Sequence, residues 1–305
     1  MLHRLLQLLE SHLFILCLAL VVGLFIPAAQ HLTVWSTLCL QVIFFFSSLK
    51  LSSQQVVRSA TNWKLLLGAN SMMLLGLPLL VRLIAPWLVP DMALALFLLA
   101  AMPVGMTSPL LVEVVGGNHA LALVLTTATS LLAPFSIPLV TYLAYGASLA
   151  VDPFGMVQRL CLVLVVPFGL ALVARRFLSH AVARFSPHTK PISVLLLGIL
   201  IAGAVASQAP AILASLHAGW GAVRMLAVLF LFFACLHLIG YWSLWWEPRA
   251  ERETITVCLT YMNFTLAIYL ATTFFPQPAV LAPLVLSIIP WVMLLPAWRW
   301  SRARF

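Results

Sequence analysis

Almost nothing in this chain could face water over most of its length, and that constrains its fold more than any motif. Apolar stretches of about 20 residues, the length needed to cross a bilayer's hydrocarbon core, recur from one end to the other. They lie at roughly 12–29, 33–49, 64–85, 92–115, 120–145, 156–176, 191–207, 219–242, 254–275 and 279–298. Only 8% of the 305 residues are charged and 64% are hydrophobic, where a soluble domain carries about 25% and 45–50%. Seven acidic residues cannot build a solvent-facing surface, so soluble enzymes and nucleic-acid binders are excluded. The expected fold class is an all-α polytopic membrane protein, partnered by the lipid bilayer, with short connections and no hidden soluble domain. Cys17, Cys39, Cys161, Cys235 and Cys258 sit inside apolar stretches without a CxxC pair, so neither a disulfide framework nor a metal site is signalled.

The +9 net charge is distributed as orientation signals. With ten spans and the N-terminus inside, Arg4, Lys50, Arg58 and every other Lys or Arg except Arg82, Arg159 and Arg224 fall on the cytoplasmic side, the bias that orients membrane proteins. Both termini are then cytoplasmic. Trp35, Trp63, Trp87, Trp220, Trp242 and Trp298 stand near span ends, as interfacial anchors do. The first 30 residues also fit a signal peptide, but the span count works better with them kept. The connection Ala147 to Gly155 divides the chain into 1–150 and 151–305, five spans each. Two tandem units with an odd number of spans must be oppositely oriented, the inverted repeat of many secondary transporters. Parity alone carries that reading, and ten-span proteins without such repeats exist.

In inverted-repeat carriers the site lies at mid-membrane, where helices are broken and expose backbone polar groups. The fourth span has the clearest break. Pro103 and Pro109 each remove a backbone N–H and disfavour helix in the residue before, Gly105 lies between them, and Thr107 with Ser108 can bond freed carbonyls. An ordinary proline kink would show the same residues. The ninth span has no proline, but Asn263 sits in a polar centre, Thr260 to Thr265; a buried amide must bond a ligand or another helix. The fifth span offers Thr126, Thr127, Thr129 and Ser130, with 126 and 130 on one face, unless these hydroxyls bond only their own helix. Glu113 is a candidate proton or cation group, although the turn at Gly116 and Gly117 brings it near interfacial water. His237 reads as a bonded packing residue, and Gln41 and Asn70 as secondary candidates. No P-loop, HExxH, TVGYG or arginine-rich helix occurs.

Gly105-Met106-Thr107-Ser108, Gly117-Asn118-His119-Ala120-Leu121-Ala122 with Thr126-Thr127, and Arg252-Glu253-Thr254-Ile255 leading to Met262-Asn263 resemble the sodium/bile acid cotransporter family, bacterial branch. Phe46 to Leu51 resembles the end of that family's second helix, and the likeness covers almost the whole chain. It implies a panel of spans one, two, six and seven moving against a core of the other six. Spans four and nine would be discontinuous and cross, with ion sites behind the crossing and an organic anion in front.

Carried over by residue, Ser108 and Thr126 match two hydroxyl sodium ligands, and Asn263 a residue beside the substrate. Other positions depart: the family's asparagine after the serine is Pro109 here, a second hydroxyl of the fifth helix is Ala122, the ninth helix's carboxylate is Cys258, its neighbouring glutamine is Met262, and a polar residue of the last helix is Trp291. A dehydrated sodium ion wants several oxygens and a carboxylate. Sodium as coupling ion is therefore set beside proton coupling through Glu113, or uniport.

The resulting expectation is a secondary carrier for a small organic anion or amphipathic solute in a bacterial inner membrane, working by alternating access without a resident cofactor. Asn263, Thr107, Ser108, Thr127 and Ser130 would line the substrate site, and Ser108 with Thr126 what remains of an ion site. The rivals are a non-transporting sensor or assembly protein on the same fold, and a permease like those for arsenite efflux or auxin.

Overall fold

A chain with so few polar side chains must satisfy its backbone polar groups internally wherever lipid surrounds it, which favours helices. The computed structural model describes residues 12–49, 63–146, 151–217 and 220–302, and among them no strand forms. Seven helices are long and apolar enough to cross a bilayer: Pro27–Leu49, Trp63–Leu88, His119–Tyr145, Pro153–Phe177, Ser179–Pro210, Gly221–Trp242 and Pro278–Arg302. The chain is thus a multi-pass, all-helical membrane protein. Arg4, Lys50, Arg58 and most of the expected junction between the halves, 147–150, lie outside the described residues.

Proline chemistry shapes several of these helices. Pro78 and Pro167 each follow a π turn, Met72–Gly76 and Cys161–Val165. A proline cannot donate to the carbonyl four residues back and its ring crowds it, and the wider turn accommodates both effects. The helix opening at Pro153 is capped by Asp152, whose carboxylate accepts the N–H groups of Phe154 and Gly155 at 3.0 Å, with proline at the first position where its missing donor is harmless.

Three regions differ from the spans expected. The apolar stretch 12–29 is a 14-residue helix, His12–Phe25, followed by a 3-10 segment, Pro27–Trp35, that runs into Ser36–Leu49. Residues 177–190, expected as a connection, are almost entirely helical within the 39-residue Ser179–His217. At 1.5 Å per residue that helix is about 58 Å long, nearly twice the hydrocarbon thickness. Arg184, Lys190, Pro187 and Pro191 interrupt the apolar pattern there without interrupting the helix. Finally, 92–115 and 254–275 are each two short helices: Ala93–Ala101 with Ser108–Val114, and Arg249–Thr260 with Phe264–Phe274.

His12–Phe25, Ser36–Leu49 and Val166–Phe177 pack with the long helix Ser179–His217. Small residues allow close approach, as is usual between helices in lipid. A Cβ on Gly23 would lie 2.6 Å from that of Val205, and one on Gly198 2.7 Å from Ile15. Gln41 donates its amide to the carbonyl of Leu162, inside the second π turn, at 3.1 Å. Asn70 bonds only its own helix, at Leu66. The two broken pairs pack mainly among His119–Tyr145, Trp220–Trp242 and the C-terminal helices, Pro278–Leu286 and Ile288–Arg302, although Phe264–Phe274 also touches Ser179–His217 and Ser36–Leu49.

Candidate functional site

The two breaks meet. Val104 and Met262 form an antiparallel bridge, in which the Gly105 N–H donates to the Tyr261 carbonyl at 2.9 Å and the Asn263 N–H to the Pro103 carbonyl at 2.7 Å. Each break thus supplies an acceptor that the other's freed donor needs, and buried backbone donors must find one. Gly105 is required by the approach: a Cβ there would stand 2.5 Å from the Tyr261 oxygen and 2.9 Å from that of Met262.

Side chains complete the joint. Ser108, fully buried, donates its hydroxyl to the Tyr261 carbonyl at 2.7 Å. Thr129 accepts the Val104 N–H at 3.1 Å while donating to the Leu125 carbonyl of its own helix at 2.7 Å. Asn263 caps Phe264–Phe274 through its side-chain oxygen, which accepts the Leu266 N–H at 3.0 Å. Its Nδ2, on a residue 3% exposed, has no acceptor among the described residues. Thr260 Oγ1, Ser130 Oγ and Trp291 Nε1 are likewise buried without partners among them, and the Trp291 ring meets that of Tyr261 edge-on with centroids 5.4 Å apart.

Of the residues singled out in the sequence, Ser108 and Asn263 share this joint, and Ser130 stands one residue past Thr129 with a free hydroxyl. Thr126 and Thr127 donate to the carbonyls of Ala122 and Leu123 on their own helix, both at 2.8 Å. Thr107 precedes Ser108–Val114 without a side-chain cap. Glu113 is elsewhere: its carboxylate is 58% exposed and lies 2.9 Å from His119 Nδ1. Cys258 and Met262 are buried beside the second break. Sequence reasoning named Thr129 only among its neighbours; the four-residue spacing to Leu125 was visible, but which N–H it would accept was not. It also missed Tyr261, whose carbonyl takes two donors.

Two distant segments that look alike in sequence to known carriers also touch. The Asn118 N–H donates to Thr254 Oγ1 at 2.7 Å, and a Cβ on Gly117 would stand 2.8 Å from the same oxygen. Asn118 in turn caps His119–Tyr145, accepting the Leu121 N–H at 3.1 Å. A cavity of about 370 Å³ lies away from the crossing, between Val114 and the last helix at Leu295, Pro296, Arg299 and Trp300. At the crossing itself Val104, Ser108, Tyr261, Met262 and Asn263 are all buried.

The profile of the family described as the SBF-like CPA transporter family matches residues 10–294. A probable sodium/metabolite cotransporter of chloroplasts from Oryza sativa subsp. indica is 28% identical, over 55% of this chain and 42% of that protein. One of the same description from Arabidopsis thaliana is 27% identical, over 65% of this chain and 48% of its own length. The chain thus spans about half the length of these plant relatives. An uncharacterized protein of Pseudomonas aeruginosa is 26% identical across 87% of this chain and 83% of its own.

Proposed function

Because the chain belongs to the SBF-like CPA transporter family, we propose that it is a secondary transporter carrying a small organic anion or amphipathic solute across a bacterial inner membrane. The observation that carries the anion is the pair of unanswered donors at the crossing, Asn263 Nδ2 and Trp291 Nε1. An unmet buried donor costs about 1–3 kcal/mol, which a carboxylate oxygen would recover. Asn263, Thr107, Ser108, Thr127 and Ser130 line the site, and the two broken pairs count as the fourth and ninth of ten spans, with both termini cytoplasmic.

The halves, 1–150 and 151–305, are inverted repeats in this reading. The helices gathered on Ser179–His217 are the panel, and the rest the core. Residues so deeply buried at the crossing demand that one part move on the other for solute to enter, which is alternating access. The hydroxyls of Ser108 and Thr126 donate to carbonyls and keep their oxygen lone pairs, but Cys258 offers no carboxylate to offset a cation's charge. Two hydroxyls make a poor sodium site, so proton coupling or uniport is favoured over sodium coupling. The same poverty of ligands supports a second reading, a non-transporting sensor, which predicts solute binding without flux.

The test is uptake of radiolabelled carboxylates by proteoliposomes under imposed proton or sodium gradients. Accumulation above equilibrium that falls at least tenfold in Asn263→Ala is the expected result. Solutes that equilibrate but never accumulate under any gradient would overturn coupled transport.

A further inference from the structure

We propose that His237 is a proton-binding site joined to the crossing, and that its protonation loosens the bridge between the two broken helices. The inference rests on the transporter reading and names its coupling ion. His237 lies on Trp220–Trp242, which meets Arg249–Thr260 backbone to backbone: a Cβ on Gly240 would stand 2.6 Å from the Thr256 Cα. That approach brings the imidazole, 3% exposed, against the residue where the second helix breaks.

The partners fix the tautomer. His237 Nδ1 lies 2.8 Å from the Phe233 carbonyl, which can only accept, so Nδ1 carries the hydrogen. Nε2 then offers its lone pair, and the Tyr261 hydroxyl, 3.2 Å away, donates to it. The backbone carbonyl of that same Tyr261 holds the Gly105 N–H and the Ser108 hydroxyl. One proton taken from water converts Nε2 from acceptor to donor. The Tyr261 hydroxyl must then turn its hydrogen away from the one partner it bonds among the described residues. Either the hydroxyl is left unmet or Tyr261 moves, and the carbonyl that joins the two breaks moves with it.

Histidine is the side chain whose ordinary titration lies between pH 5 and 8. Facing His237 are Tyr261 and, beyond the Trp298 ring at 5.2 Å, the Glu253 carboxylate. Glu253 accepts the Trp298 indole N–H at 2.8 Å and pairs with Arg302 at 3.3 Å and Arg249 at 3.9 Å. Tyr241 and Arg252 lie one turn along, the guanidinium 3.8 Å from the phenol ring, and Cys258 is on the intervening turn. The Glu253 carboxylate favours a cation nearby, whereas Arg302 and Arg249 oppose it and share that single carboxylate.

Two measurements without solute test this. In protein labelled with 15N-histidine, the resonance lost in His237→Asn (or His237→Gln, should the first not fold) should titrate on acidification, within the pH range where the protein stays folded. In a variant whose sole cysteine is Cys258, labelling by N-ethylmaleimide reads opening of the crossing. Dividing its rate by that of the same protein carrying His237→Asn or His237→Gln removes the thiol's own titration. The quotient should rise about tenfold on acidification, the size expected for one broken buried hydrogen bond. Tyr261→Phe should flatten it. A His237 resonance that does not titrate in that range, or a quotient flat with pH, would overturn the proton site. Titration and labelling as expected with no solute accumulated would instead sink the transport reading and leave the proton site standing.

Discussion

The two helix breaks do the same job by opposite chemistry. The first, Met102 to Thr107, is opened by subtraction: Pro103 removes a donor and disfavours helix at Met102, and Pro109 starts the next helix at a position where its missing N–H is harmless. The second, Tyr261 to Asn263, is opened by addition: Asn263 offers Phe264–Phe274 a cap, in a segment that could otherwise continue as helix. The first break therefore exists on its own account, whereas the second depends on the acceptor that Pro103 presents to Asn263. A crossing built from one obligatory and one conditional break can have its geometry altered through the conditional side alone.

The sharpest way to break that pairing is Gly105→Ala. The added methyl would sit 2.5 Å from the Tyr261 oxygen, and backbone cannot yield as a flexible side chain can. Overpacking costs about 1–3 kcal/mol, and here it falls on both bridge bonds. We expect the largest drop in thermal midpoint of any variant discussed here, with loss of accumulation in proteoliposomes. A variant as stable and active as the parent would mean that the bridge is dispensable.

Thr129→Val acts on the first break alone. It leaves the Val104 N–H without its 3.1 Å acceptor, for about 1–3 kcal/mol, while Thr129→Ser should retain most of the stability. A Thr129→Val variant as stable as the parent beside a destabilised Thr129→Ser, read by thermal unfolding in detergent, would assign the effect to packing of the methyl.

The first break was legible because Pro103, Gly105 and Pro109 act through the backbone and fall together within seven residues. The second was not, because an asparagine in an apolar run reads equally as a cap, an interhelical contact or a ligand. Only its φ/ψ and the Leu266 N–H decide which atom is spent and which is free. The hydroxyls of Thr126 and Thr127 were ambiguous for a related reason. Thr126 shares a face with Ser130, as a ligand would, yet Thr126 and Thr127 can each reach the carbonyl four residues back, and both do. The span pattern was legible wherever it was continuous. It failed at 177–190 because charge and proline interrupt hydropathy without ending the helix.

The conditional break is probed by separating the two atoms of Asn263. Asn263→Ala removes both cap and donor, and should cost about 1 kcal/mol as well as solute binding. Asn263→Ser keeps an oxygen for the Leu266 N–H and removes the free N–H₂ without burying a charge. Its cap should be about as good as the parent's, so it should be more stable than Asn263→Ala while anion uptake falls at least tenfold. Uptake that survives in Asn263→Ser would take the amide out of the site, whatever happens to stability.

The smallest expected effect lies outside both breaks, at Glu113. Its carboxylate is more than half exposed and its partner His119 is 34% exposed, so the pair is worth about 0–1 kcal/mol at most. The His119 Nδ1 also lies 3.1 Å from the Pro109 carbonyl and so keeps a partner when the carboxylate is neutralised. Glu113→Gln should leave the thermal midpoint nearly unchanged and the pH profile of uptake intact. If the profile collapses in that variant while His237→Gln retains it, the proton that drives transport binds at the end of Ser108–Val114. The crossing would then respond to protonation through the first, obligatory break and not through Tyr261.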